Sequence, residues 1–174
     1  MVESEKLHKY DGAFYSKMSM SVGGGKKNTG VLNINAENEG LDSELHLGLY
    51  GGNININSGN DGINTNEDGV SVTTINGGNL HIVAGLGEGG DGIDSNGNIV
   101  ISGGTVIVYG PTDNGNGPID SGDGGYSVTI SGGMLLAVGS SGMAESAENA
   151  GQAVRAASWR NGGISAGEVI GISD

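Results

Sequence analysis

A parallel β-helix, an all-β solenoid of about five coils with covered ends, is the fold that three features predict. They are a repeat near 26 residues, period-two alternation within each repeat, and a glycine content too high for helices. Of the 174 residues, 37 are Gly, 18 are Asn, 2 are Pro and none is Cys. A Gly in a helix interior costs about 1 kcal/mol relative to Ala, so this composition excludes a mainly helical chain. Scarce Pro and the lack of a Gly-X-Y period exclude collagen, and the recurrent Val, Ile and Leu argue against disorder.

Residues 1–27, with Tyr10, Phe14 and Tyr15, are expected to cover the N-terminal end, because an open solenoid end exposes unpaired strand edges. The repeat body is assigned to residues 28–141. It opens with a degenerate unit, Val31-Leu32-Asn33-Ile34-Asn35. Four fuller units follow, each with a Gly pair between two apolar strands; the pairs start at 51, 77, 103 and 132, spacings of 26, 26 and 29. After the pairs, Ile54 and Ile56, Leu80 and Ile82, Val106 and Val108, and Leu135 and Ala137 take equivalent inward positions. Before them, Leu47 and Leu49, Ile99 and Ile101, and Val128 and Ile130 do the same. Thr73 and Ile75 match less well, and a bulge is expected at that rung. Outward positions read mostly as Asn, Ser and Thr. Residues 142–174 lose the repeat and are assigned to a C-terminal cover. Within it the Ala-rich run Met143–Ala157 reads as a helix over the last coil. The final Gly171-Ile172-Ser173-Asp174 resembles a strand, so the full protein is expected to continue.

A second motif recurs between the strands: Glu39-Gly40-Leu41-Asp42, Asp61-Gly62-Ile63-Asn64, Asp91-Gly92-Ile93-Asp94 and Gly117-Pro118-Ile119-Asp120. Equivalent residues of stacked coils lie at the rung spacing, so the first and fourth positions form two columns of carboxylates. Two carboxylates about 4.8 Å apart repel by roughly 3 kcal/mol at an effective dielectric of 20. Calcium takes oxygens at about 2.3–2.6 Å, so one ion reaches two oxygens at that spacing. Asp42, Asp61, Asp91, Asp94 and Asp120, with Asn64, are therefore the candidate metal ligands, and calcium is the expected cofactor. His46 and His81 lack a Cys or second His nearby, which disfavours zinc. Turn chemistry offers another reading, since Asp and Asn bond nearby backbone and Asn stacks stabilise solenoids without a ligand. Asn53, Asn55 and Asn57 are assigned to such a stack.

The run Gly-Asp-Gly-Ile-Asp-Ser-Asn-Gly at 90–97, with Ile-Ser-Gly-Gly-Thr-Val at 101–106, Gly110-Pro111 and Gly139-Ser140-Ser141-Gly142-Met143, resembles a bacterial carbohydrate-binding family. Its members are secreted or surface proteins with a pectate-lyase-like, right-handed parallel β-helix. The resemblance covers roughly residues 28–145. It implies calcium in the acidic turns, with the motif falling on Asp61, Asp91, Asp94 and Asp120 and more weakly on Asp42. It also implies binding of plant cell-wall polysaccharide, notably polygalacturonate, with cellulose as a further candidate. Asn64 and Gly117-Pro118 depart from the acidic pattern.

Acids outnumber bases by 20 to 7, which disfavours nucleic acid. No window approaches the ~18 apolar residues of a membrane span, and Met1-Val2-Glu3-Ser4-Glu5 is not a signal peptide. A secreted or cell-surface location rests on the resemblance alone. No Lys or Arg lies between residues 28 and 154, where eight Asp and seven Glu give a charge of −15. A polysaccharide lyase needs a base beside its cation, so it would have to draw one from the flanks. The carboxylate columns could supply a glycosidase pair by spacing. The Asn-Thr-Asp, Gly-His-Gly and Arg-Ile-Lys segments of β-helical polygalacturonases are missing, and repetition favours binding. The reading is a non-catalytic binder of acidic polysaccharide. Tyr50, Tyr109 and Trp159 are candidate sugar-stacking residues, with edge or core-capping roles as the alternative. The runner-up function is a surface adhesin or stalk segment stiffened by calcium.

Overall fold

A computed structural model describes residues 11–24, 29–87, 89–140 and 142–149. The first coil is β1 (Phe14–Ser16), β2 (Ser19–Val22) and β3 (Val31–Ala36). The second is β4 (Leu41–Ser43), β5 (His46–Leu49) and β6 (Asn53–Ser58), and the third β7 (Ile63–Thr65), β8 (Val72–Ile75) and β9 (Asn79–Val83). The fourth is β10 (Ile93–Ser95), β11 (Asn98–Ile101) and β12 (Thr105–Tyr109). The fifth is β13 (Ile119–Ser121), β14 (Val128–Ile130) and β15 (Met134–Val138), and β16 (Glu148–Asn149) follows. Each coil places its first strand in sheet A, its second in sheet B and its third in sheet C, and all the pairings are parallel. No helix occurs among the described residues. The architecture is a β-solenoid of about five turns, as the repeat predicts.

The alternation in sequence is the alternation in space. In sheet C, Leu32, Ile54, Leu80, Val106 and Leu135 form one register column, and Ile34, Ile56, Ile82, Val108 and Ala137 another. In sheet B, Leu49, Ile75, Ile101 and Ile130 stack in the same way. Sheet A contributes Leu41, Ile63, Ile93 and Ile119. These aliphatic side chains make one continuous buried core, with Leu32 and Leu135 packed half-buried against its two ends; Ala137, expected to point inward, is exposed on the last coil. Each fully buried Leu, Ile or Val contributes about 1.5–3 kcal/mol, and that burial offsets the entropy of ordering a glycine-rich chain.

The Gly pairs turn the chain from sheet B to sheet C, and their second members explain the residue type. Gly52, Gly78, Gly104 and Gly133 sit at φ of 93°, 90°, 88° and 80°, one above another. A Cβ on Gly104 would lie 2.7 Å from the Gly78 carbonyl oxygen, and one on Gly133 2.6 Å from that of Gly104. Conformation and close approach both require Gly there.

Three expectations are corrected. The rung of Thr73 carries no bulge: Thr73 pairs in register with Leu47 and Ile99 and is fully buried. Its hydroxyl meets that of Thr65 at 3.2 Å, and Thr65 donates to Ser95 Oγ at 2.7 Å, so the polar side chain is satisfied inside the core. Residues 14–22, assigned to a terminal cover, form β1 and β2 and pair in parallel register with β4 and β5. Residues 143–149 are not helical. Their last two join β14 as β16, because the free edge of sheet B offers backbone partners that a helix would leave unpaired. The remainder of the expected helix, and Trp159, lie outside the described residues.

Candidate functional site

The acidic motif sits where sheet C turns into sheet A. Asp42, Asn64, Asp94 and Asp120 are the middle residues of β4, β7, β10 and β13, with Leu41 or Ile on one side and a buried hydroxyl residue on the other. In a strand the middle side chain points opposite its neighbours, so the column faces outward while Leu41, Ile63, Ile93 and Ile119 fill the core. Glu39, Asp61, Asp91 and Gly117 precede these strands at the corner. Here each acid is tied to the next coil: the Asp91 N–H donates to Asp61 Oδ1 and the Gly117 N–H to Asp91 Oδ1, both at 2.5 Å.

Asp61, Asp91 and Asp94 are brought together, with one carboxylate oxygen from each lying within 4.8 Å of the other two. Asp61 and Asp91 are buried and Asp94 half-buried. Asn64 is also buried; its Nδ2 donates to Glu39 Oε1 at 2.9 Å, while its Oδ1 has no partner. Asp42 lies with Glu39 toward the N-terminal end of the ladder and accepts from Asn66 Nδ2 at 2.7 Å. Asp120 lies toward the other end beside Glu145, whose carboxylate accepts from the Ser121 N–H and hydroxyl at 3.0 and 2.8 Å. Of the six predicted ligands, Asp61, Asp91 and Asp94 form the central group, Asp42 and Asp120 lie toward its two ends, and Asn64 is bonded to Glu39.

The electrostatics are those of anions held together without cations. Burial, followed by the charges of Asp61, Asp91 and Asp120, pushes Asp94 up to about 8. Burial pushes Asp61 up to about 7, aided by Glu39, Asp91 and Asp120 and opposed by the Asp91 N–H. Asp91 is raised by burial and by Asp113 and Glu145, against the Gly117 N–H. Asp42 rises to about 7 through burial and Glu39, and Asp120 to about 6 through burial and Glu145. Among the described residues, Lys17 is the one Lys or Arg.

The donor set fits a hard divalent cation. It is all oxygen, it gathers negative charge in partly desolvated space, and it leaves an amide oxygen buried and unbonded. No His or Cys belongs to it.

Of the candidate sugar-stacking residues, Tyr50 and Tyr109 belong to neither acidic column. Tyr50 follows β5 at the corner leading to sheet C, its ring over Gly48, and is 45% exposed. Tyr109 ends β12 on sheet C, is 43% exposed and meets the His81 ring edge-on, centroids 5.6 Å apart at 60°. Tyr126 lines a groove of about 290 Å³ with Asp123, Glu145 and Glu148.

Glu39, Asn66 and Glu145 stand beside the predicted ligands without having been proposed as such. Glu39 is visible as the first member of its acidic column. Asn66 falls two residues after Asn64, outside the repeated motif. Glu145 lies where the repeat is lost, so periodicity could not find it.

No curated protein and no solved structure matches the chain. Over residues 2–174 it matches the model of a family described as carbohydrate-binding domain-containing protein, and with that span the chain belongs to this carbohydrate-binding family.

Proposed function

We propose that the chain binds acidic polysaccharide of the polygalacturonate class through calcium held in the acidic columns, and does not cleave it. The observation that carries this reading is the convergence of Asp61, Asp91 and Asp94 in a segment, 28–154, that contains no Lys or Arg. Family membership supports a carbohydrate ligand. An anionic polymer would be repelled by carboxylates alone, so binding requires a cation between them. Asp61, Asp91 and Asp94, with the free Oδ1 of Asn64, are the residues that would hold it; Asp42 with Glu39, and Asp120 with Glu145, are the flanking positions. Calcium would neutralise these groups and offer remaining coordination positions to uronate oxygens. The protein's own contribution is to fix the carboxylates at the rung spacing through the backbone bonds of Asp61 and Asp91.

The reading of binding without cleavage is supported, as far as a lyase is concerned, by the lack of a base beside the columns. A lyase must take a proton beside the sugar carboxylate, and the described segment that forms the acidic columns holds no Arg or Lys to do so. A cell-wall ligand would be met by a secreted or cell-surface protein, and that location belongs to the proposal.

Retention on immobilised polygalacturonate tests this reading. Binding is expected with calcium, lost after chelation and restored when calcium is returned, with no unsaturated product absorbance. Retention undiminished after complete calcium removal sinks the bridging role. The second reading, a stalk or adhesin stiffened by calcium, is favoured by the bonds from Asp61 and Asp91 to the next coil. Calcium that raises the melting temperature with no glycan retained decides for it.

A further inference from the structure

The outward face of sheet C differs from the rest of this acidic molecule. Its outward positions are Val31, Asn33 and Asn35 on β3, then Asn53, Asn55 and Asn57 on β6, and Asn79, His81 and Val83 on β9. They continue as Thr105, Ile107 and Tyr109 on β12 and Met134, Leu136 and Val138 on β15. Not one of these fifteen positions is Asp, Glu, Lys or Arg, in a chain with 20 acids, and none is buried. The face has two halves. Toward the N-terminal coils it is a lattice of amides: Asn55 donates to Asn33 at 2.8 Å, Asn57 to Asn35 at 3.0 Å and Asn79 to Asn53 at 2.7 Å. Toward the C-terminal coils it is aliphatic and aromatic, with Ile107, Tyr109, Leu136 and Val138 in adjoining register and Tyr109 held against His81.

We infer that this face is a binding surface for an extended, uncharged glycan, separate from the acidic columns. The inference rests on the family's carbohydrate binding but not on calcium or on an acidic ligand. Charge selects the occupant, since a surface without carboxylates or ammonium groups meets neutral hydroxyls with no ionic group to desolvate. The chemistry matches in both halves. Each ladder Asn uses only part of its capacity of two donors and two lone pairs, and the cross-strand bonds orient the rest toward the ligand. The exposed Tyr109 ring and the aliphatic rows offer the apolar counterpart to the C–H faces of sugar rings. Size argues against a second protein copy. The face's fifteen outward positions fall short of the roughly 20–30 residues a side of a stable protein interface.

The test is titration of the full chain with neutral β-linked glucan, mannan and xylan oligosaccharides, with and without chelator, beside the polygalacturonate assay. Tyr109→Ala and Ile107→Glu are compared with Val70→Ser, a change on an exposed loop away from the face. At least one neutral glycan is expected to bind, equally with and without calcium. Each face variant is expected to weaken it about tenfold or more, and Ile107→Glu, at a position outside the acidic columns, to leave polygalacturonate retention unchanged. Tyr109→Ala alone serves if Ile107→Glu does not fold. No neutral glycan bound at millimolar concentration, or variants that bind like the parent, overturns the inference. So does a concentration-dependent dimer abolished by Ile107→Glu, which would give the face to a second copy. Failure of the polygalacturonate arm alone removes the calcium reading and leaves this one standing.

Discussion

Asp94 shows how one side chain joins a structural cost to a ligand site. Its carboxylate is half-buried on a strand paired on both sides, so the backbone holds it at the rung beside Asp61 and Asp91. Replacing it by Asn keeps the shape and removes the charge. Without metal, Asp94→Asn is therefore expected to stabilise the fold at pH 8 by about 1–2 kcal/mol, a fraction of the Coulomb repulsion at this spacing. With calcium the sign reverses, because one charged ligand is lost and affinity falls about tenfold or more. Thermal melts with and without the ion check both halves, and equal shifts in the two conditions would sink the site. Asn64 shows the same logic already present in the chain: an amide stands in the column where the motif otherwise has Asp, and its unbonded Oδ1 is what remains for a ligand. The acidic members of the site were legible because the rung spacing stacks equivalent residues. Glu145 was not, since nothing repeats at its position, and Asn66, matched one coil on by Asn96, stands two residues beyond the acidic motif.

At the scale of the element, the corners rather than the strands carry the least tolerance. Gly104 and Gly124 have nearly the same φ, 88° and 90°, but a Cβ on Gly104 meets the Gly78 carbonyl oxygen at 2.7 Å and one on Gly124 meets nothing within 4 Å. Gly124→Ala is expected to cost only the conformational penalty of about 1–2 kcal/mol. Gly104→Ala adds a collision between rungs and should cost about 3 kcal/mol or more. Urea melts of the two variants separate the contributions, and similar losses would mean that the stacked corner relaxes freely. This is also where sequence reading succeeded best, because a required Gly at each corner marks the repeat directly. It failed at Thr73, where a hydroxyl in an aliphatic column was read as a bulge. Its partner Thr65 is eight residues away and in another sheet, so the compensating hydrogen bond became visible only in three dimensions. The Ala-rich run after residue 142 misled for a related reason: local helix propensity is weak beside an open sheet edge.

For the whole molecule, the raised carboxyls make pH and metal two handles on one equilibrium. Asp42, Asp61, Asp91, Asp94 and Asp120 are all shifted upward from 3.8, four of them to between about 6 and 8. A carboxyl whose folded pKa exceeds its unfolded value binds protons more tightly in the folded chain. Its contribution is present below about 3.8 and is lost as pH rises through the folded value. The metal-free protein should therefore lose stability between pH 5 and 8, at up to about 1.4 kcal/mol per pH unit for each carboxyl still titrating. The groups facing one another, Glu39, Asp113 and Glu145 included, are all acidic, so none supplies a compensating positive charge. Calcium competes with protons for the same oxygens and binds only the folded arrangement, so its stabilisation should grow with pH and oppose that slope. Melting temperatures at pH 5, 6.5 and 8, in metal-free buffer and with excess calcium, are expected to fall along the first series and to fall less or rise along the second. A metal-free series that is flat or rises with pH would show that the columns are not mutually destabilising. The solenoid would then need no cation to hold its acidic edge together, and calcium bridging would lose its physical basis.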